Sequence, residues 1–226
     1  RLGDRRDRRQ YVRLSGPARA FRRGGGLLVL LGVGPGRGAG RGVARSLSGR
    51  RPDPGQAAHH AAGPRCVRGG LPPELQAALR RYLAGGGGLF ASGSYVAADL
   101  WAEGTPEEGR AFAREVLRID SDGGHPSDRG RVRVMTSDAS FSRGEYRFNT
   151  EYRRDRYVVE RADALKPAGA GAFAVMRYDD SGRTAAVACD AGGRTFVAGF
   201  PFESIPDGVQ RDRLMRDVLR FLFSDK

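Results

Sequence analysis

The chain has 226 residues, which is enough for a hydrophobic core of its own, and a formal net charge of +13. All of the excess charge lies in residues 1–70, with 16 arginines and three aspartates, whereas the rest of the chain balances 23 cations against 23 carboxylates. The balanced part therefore has an ordinary globular composition and does not have the basic character of a nucleic-acid-binding domain. No run approaches the roughly 18 apolar residues of a membrane span, so a membrane-spanning chain is not predicted.

Residues 1–70 are a low-complexity segment rich in arginine and glycine, in which only residues 24–34 are apolar enough for a buried strand. One interpretation is a disordered arm that binds polyanions, since like charges repel and Gly and Pro do not build a core. The other is an out-of-frame translation of a GC-rich gene, because Lys166 and Lys226 are the only lysines in the chain. Residues 32–42 contain the Gly-x-Gly-x-x-Gly spacing without the helix and acidic residue of a dinucleotide site, so no nucleotide cofactor is predicted.

From residue 71 the pattern becomes that of an α/β domain, expected to span 71–226. Residues 71–88 predict a helix with prolines at its start and glycines at its end, followed by the strand GLFAS, residues 88–92. This strand is expected to pair in parallel with a strand further upstream. A short helix is then predicted over 92–101, and a second one over 104–119, with Thr105 and Glu108 as a capping box.

The second half of the chain is rich in predicted strands, after a loop at 120–130. Strands are predicted over 131–135, within 145–160, and over three stretches joined by hairpin turns, 171–180, 183–190 and 194–200. An amphipathic helix closes the chain over 209–223, with Asp217 expected on its solvated side. Cys189 is expected to be a small buried side chain, while a disulfide between Cys66 and Cys189 is left open.

Two stretches, GGGGLFASGSY at 85–95 and GFPFES at 199–204 before the last helix, resemble the class I glutamine amidotransferase-like fold, a flavodoxin-like sandwich. More narrowly, the pattern is similar to a domain of large secreted bacterial proteins, many labelled xanthan lyase. The resemblance implies a mixed sheet with a C-terminal β-hairpin and helix, and a secreted or cell-envelope location. It also implies a polysaccharide or cell-wall glycan, and other domains of a larger protein, as partners.

The catalytic positions of that family are not matched here. An active member carries a cysteine on the turn after the strand, where this chain has Ser92 and Ser94, and a histidine two residues before a glutamate. Glu203 is in place, but Pro201 occupies the histidine position. A thiolate nucleophile needs both groups, so the expected function is a non-catalytic accessory or interaction domain without a cofactor.

An enzymatic alternative stays open, as a glycan hydrolase or lyase. Ser94 and His125 would form its catalytic pair together with Glu203, and Ser92, Tyr95 and Asp99 would bind the ligand. Asp99 and Glu203 are also a candidate carboxylate pair for glycoside chemistry.

No metal site is predicted from the acidic loop. Asp120, Asp122 and Asp128 surround His125, but their spacing is not that of an EF-hand.

Overall fold

A computed structural model describes residues 27–32, 45–47, 73–152 and 158–223. The strands are β1 (Leu27–Gly32), β2 (Arg45–Leu47), β3 (Gly88–Ser92), β4 (Ile119–Gly124), β5 (Arg131–Val134), β6 (Glu145–Arg147), β7 (Asp163–Pro167), β8 (Ala172–Tyr178), β9 (Thr184–Cys189) and β10 (Arg194–Ala198). The helices are α1 (Pro73–Ala84), α2 (Glu107–Phe112), which continues as a π-helical turn (Ala113–Leu117), and α3 (Gly208–Phe223). None of the helices described is long and apolar enough to cross a bilayer.

Eight of these strands form one mixed sheet in the order β2-β1-β3-β10-β9-β8-β5-β6. The chain therefore belongs to the α/β class, and the predicted hairpins and C-terminal helix are confirmed. Among the described strands, β3 and β10 are the parallel pair, in register from Gly88 opposite Arg194 to Ser92 opposite Ala198. The predicted parallel upstream partner of β3 is wrong, because β1 runs antiparallel to it. A flavodoxin-like arrangement stays a prediction.

Two strands of the arginine-rich segment, β1 and β2, join this sheet. The strand predicted within 24–34 is confirmed by β1. The two interpretations of the remaining segment, like Cys66, concern residues outside those described, and the division between residues 70 and 71 stays a prediction.

A second, two-stranded sheet pairs β4 with β7 in antiparallel fashion. The predicted loop over 120–130 is therefore wrong in its first half, where β4 runs to Gly124. Local sequence favours a loop here because of the aspartates and glycines, but Ile119 and Leu165 are both fully buried and anchor the pair.

Three of the four predicted helices form, although their details differ. No side chain caps α2: Thr105 instead donates its hydroxyl proton to the carbonyl oxygen of Asp99, at 2.9 Å, so the predicted capping box is wrong. Residues 94–100 form turns rather than the predicted short helix. In α3, Asp217 is 2% exposed, which corrects the expectation that it lies on the solvated side.

The core lies on the two faces of the large sheet, because successive strand residues point in opposite directions. Phe90 and Phe196 belong to one cluster, which is covered by α3. Leu89 and Val197, their neighbours in the chain, belong to a second cluster, which is covered by α1 and α2. Cys189 is buried as predicted and is a free thiol. Helices on both faces leave the strand ends as the exposed edges of the sandwich.

Candidate functional site

The candidate site is the turn that follows β3, where the parallel strands β3 and β10 end side by side. Ser92, the last residue of β3, is fully buried, and its hydroxyl oxygen accepts the backbone N–H of Phe202 at 3.2 Å. The N–H of Gly93 donates to the carbonyl oxygen of Ala198 at 3.3 Å. These two hydrogen bonds join the turn to the segment that follows β10, so Ser92 has a structural partner here.

The turn contains a backbone conformation that L-residues adopt at a cost. Tyr95 has a φ of +63°, in the left-handed region, which costs on the order of 1 kcal/mol for a residue other than glycine. Its side chain is half-buried. Ser94, just before it, is 7% exposed, and its hydroxyl has no hydrogen-bond partner among the residues described. The residue that the turn holds in the strained position is therefore Tyr95 and not either serine.

Asp163, the first residue of β7, fixes the shape of this turn. Its side chain is 1% exposed, and Oδ2 accepts the backbone N–H groups of Ala97 at 2.8 Å and Ala98 at 3.3 Å. These two hydrogen bonds to the carboxylate satisfy main-chain donors of the turn that have no main-chain acceptor among the residues described. The turn is thus held from β7, more than sixty residues further along the chain.

The main chain of Asp163 is held as firmly as its side chain. Its N–H donates to the carbonyl oxygen of Gly199 at 2.7 Å, and its own carbonyl oxygen accepts the hydroxyl of Tyr178 at 2.7 Å. A Cβ atom on Gly199 would lie 2.2 Å from the carbonyl oxygen of Asp163, so this close approach requires glycine. Sequence reasoning missed both Asp163 and the strand β7 that it begins, because no element was predicted between residues 160 and 171. The available signal was a single carboxylate between the alanines at 162 and 164.

Burial raises the pKa of Asp163 to about 6. The hydrogen bonds from Ala97 and Ala98 and the positive charge of Arg161 lower this pKa, while the negative charge of Asp99 adds to the increase. The net effect is a carboxyl group that changes its charge close to neutral pH, directly beneath the turn.

Two further carboxyl groups lie on the segments that follow β3 and β10. Asp99 is in the turn after β3, and Glu203 is in the short 3-10 helix Phe202–Ser204 after β10. Both residues keep an exposed surface, yet partial burial raises the pKa of each carboxyl group. The adjacent parallel strands β3 and β10 end at the same edge of the sheet, and Asp99 and Glu203 lie on the two segments that follow them. Their role as a carboxylate pair stays a prediction.

The side chain of His125 pairs with a carboxylate of its own loop. It lies on the exposed loop after β4, where its Nε2 is 2.9 Å from a carboxylate oxygen of Asp128. Since the Ser94 hydroxyl has no partner among the residues described, the structure does not form the predicted Ser94–His125 hydrogen bond.

The acidic loop around His125 is occupied by ion pairs. Asp122 lies 2.8 Å from Lys166 and 3.1 Å from Arg183, and hydrogen bonds from these two cations lower the pKa of Asp122. Asp120 pairs with Arg114 at 3.1 Å. Within 73–152 and 158–223, no three His, Cys, Asp or Glu side chains are placed to hold a metal ion.

Comparisons with known proteins add little to this geometry. No family model matches the sequence, and no curated protein matches it. Among solved structures, the exo-β-1,4-mannosidase Op5Man5 from Opitutaceae bacterium strain TAV5 aligns over 70% of this chain and 24% of that chain, with 13% identity and a TM-score of 0.41. The chain thus spans about a quarter of the length of that enzyme, and a TM-score of this size supports no inference about fold or activity.

Proposed function

We propose that residues 71–226 form a non-catalytic accessory or interaction domain of a larger secreted bacterial protein that acts on polysaccharide or cell wall. The observation that carries this proposal is the use of the polar groups in the turn after β3. Ser92 accepts a main-chain N–H, and the carboxyl group of Asp163 accepts two. Ser92 and Asp163 therefore stabilise the turn itself. The Ser94 hydroxyl has no partner among the residues described, so it lacks the hydrogen-bonded base that a serine nucleophile needs.

The glycan part of the proposal rests on the resemblance of residues 85–95 and 199–204 to the amidotransferase-like domain of secreted glycan-acting proteins. Ligand sites of α/β sheets lie outside the carboxyl ends of the strands, where Tyr95, Asp99 and Glu203 are found. An aromatic ring and carboxylates are suitable partners for the apolar faces and hydroxyl groups of sugars.

The test combines turnover with binding on the full chain. We expect no release of ammonia from glutamine and no depolymerisation across a panel of neutral and acidic polysaccharides. Affinity electrophoresis and calorimetry should show saturable binding to at least one of these polymers. Turnover that is lost in Ser94→Ala or Glu203→Gln, while the variant keeps the stability of the wild-type protein, would contradict a non-catalytic role.

A second candidate, a glycan hydrolase or lyase, is favoured by the positions of Asp99 and Glu203 on the segments that follow the paired strands β3 and β10. Both carboxyl groups have raised pKa values, a property that a general acid requires. If this candidate is correct, Glu203→Gln lowers turnover by at least about 100-fold, the usual effect of removing a general acid or base. Glu74 is exposed in α1, so Glu74→Gln is the matched control for the same chemical change and should keep full activity.

A further inference from the structure

A groove of about 460 Å³ lies between the end of β5 and the start of β6, the last two strands on one side of the large sheet, which β9 and β8 separate from β10. One wall is the end of β5 with the residues after it, and the other is the segment that leads into β6. Its polar and apolar lining includes Arg133, Met135, Thr136, Ser137, Arg143 and Glu145. The turn after β3 contributes no residue to this lining, so the groove is a separate candidate site.

The two arginines of the groove differ in their ion pairs. Arg133 lies 3.1 Å from a carboxylate oxygen of Glu145 and 3.4 Å from one of Asp179. Arg143 is exposed, and its guanidinium group has no ion pair or hydrogen bond among the residues described. Arg143 therefore offers an uncompensated planar cation, which binds carboxylates through two parallel hydrogen bonds.

The groove also offers an apolar surface and hydroxyl groups. Met135 is 57% exposed, one of three large apolar side chains described at the surface. Thr136 accepts the N–H of Asp138 at 3.2 Å, which leaves its own O–H free to donate. Apolar surface beside an arginine, a carboxylate and hydroxyl groups matches the chemistry of a sugar ring that carries both hydroxyls and a carboxylate.

The wall that carries Arg143 is fixed in place. The neighbouring Ser142 donates its N–H and its hydroxyl proton to the two oxygens of the buried Asp217, at 2.9 and 3.2 Å. Phe141 packs into the core, and the guanidinium group of Arg213 donates to the carbonyl oxygen of Arg143. A wall held in this way does not have to be ordered when a ligand binds, which removes part of the entropic cost of association.

We propose that this groove binds an acidic sugar unit, such as a uronate, of a polysaccharide. The sugar carboxylate pairs with Arg143, its apolar face lies on Met135, and its hydroxyl groups bond to Glu145 and Thr136. The inference rests on the proposed glycan-related function and names the class of glycan.

The test is calorimetric titration of the full chain with an oligogalacturonate of five units, and with a neutral oligosaccharide of the same length. We expect the acidic ligand to bind more tightly, and to bind more weakly as salt is raised. Arg143→Ala should weaken binding by at least about ten-fold, the usual effect of losing a charge-assisted hydrogen bond. Arg143→Lys should recover only part of the affinity, because an ammonium group is not bidentate.

Arg81→Ala is the matched control, since it removes an exposed arginine from α1, whose buried residues belong to the other core cluster. Equal binding of the neutral ligand, no binding of the acidic one, or unchanged affinity in Arg143→Ala would overturn the groove proposal. If a neutral polysaccharide alone binds, the accessory function stands and the groove assignment fails. If turnover depends on Glu203 while Arg143→Ala loses oligogalacturonate binding, the groove stands and the non-catalytic function fails.

Discussion

Replacing Asp163 by asparagine removes an ionisable group from the interior while nearly preserving its shape. The asparagine side-chain oxygen can still accept the N–H groups of Ala97 and Ala98, so the turn after β3 keeps its hydrogen bonds. What the substitution removes is the charge that Asp163 acquires inside the folded protein when it loses its proton. The effect of Asp163→Asn on stability should therefore depend on pH.

The size of this dependence follows from the pKa. Folding raises the pKa of Asp163 from an ordinary 3.8 to about 6, so the folded protein holds this proton more tightly than the unfolded chain. The resulting stabilisation is complete below the unfolded pKa and is lost as pH rises through the folded value. The full change is about 3 kcal/mol, at roughly 1.4 kcal/mol per unit of pKa. About 1.4 kcal/mol of it falls between pH 5 and pH 7.5.

The assay is urea unfolding of the wild-type protein and Asp163→Asn at these two pH values. The free energy of unfolding of the variant, relative to wild type, should rise by about 1.4 kcal/mol from pH 5 to pH 7.5. Asp99 and Glu203 are present in both proteins, so their contributions to the pH dependence of the free energy of unfolding largely cancel in the comparison. Asp212→Asn, at an exposed position of α3, controls for the loss of one negative charge. Parallel pH profiles for wild type and Asp163→Asn would refute the reasoning.

Three further substitutions test a close main-chain approach, a hydrogen bond and a group of ion pairs described above. Gly199→Ala places a Cβ atom 2.2 Å from the carbonyl oxygen of Asp163 and should lower the free energy of unfolding by about 3 kcal/mol or more; a urea midpoint close to wild type would contradict this. Ser92→Ala leaves the N–H of Phe202 without its partner and should cost about 1–3 kcal/mol in the same assay; a loss below about 0.5 kcal/mol would show that the bond adds little. Asp122→Asn removes two ion pairs at the surface and should cost less than about 1 kcal/mol at neutral pH. Because the pKa of Asp122 is lowered by folding, the cost of Asp122→Asn should shrink as pH falls through the folded pKa, and a thermal-melting series from pH 7 to pH 3 that shows no such trend would contradict it.

The strands and helices of the second half could be predicted because their signals are local. Val132 and Val134 alternate with arginines along β5, and both are buried as the alternation requires. The hairpin turns at 180–182 and 191–193 are formed by short glycine-containing loops that need no distant partner.

The predictions that were wrong depend on residues far away in the chain. Residues 94–100 contain helix-forming alanines, but the carboxyl group of Asp163 takes the N–H groups of Ala97 and Ala98 and stabilises a turn. The strand β4 has weak strand propensity and forms because β7 is available to pair with it.

At the candidate site, sequence reasoning located Ser92, Tyr95, Asp99 and Glu203 near strand ends, and the structure places them there. It missed Asp163, because the importance of this residue comes from contacts across three elements. The roles in binding or catalysis that were predicted for these residues stay predictions.

The parallel pairing of β3 with β10 has a consequence for how the protein folds. Arg194 lies opposite Gly88, so forming this pair closes a loop of about a hundred residues, at an entropic cost of roughly 4 kcal/mol. During synthesis at about 5–20 residues per second, β3 waits about 5–20 s for its partner to leave the ribosome. Until then one hydrogen-bonding edge of a strand that is fully buried in the folded protein is open to pairing with another chain. Pairing with β10 closes this edge, so the nascent chain stays open to aggregation until residues 194–198 have been made.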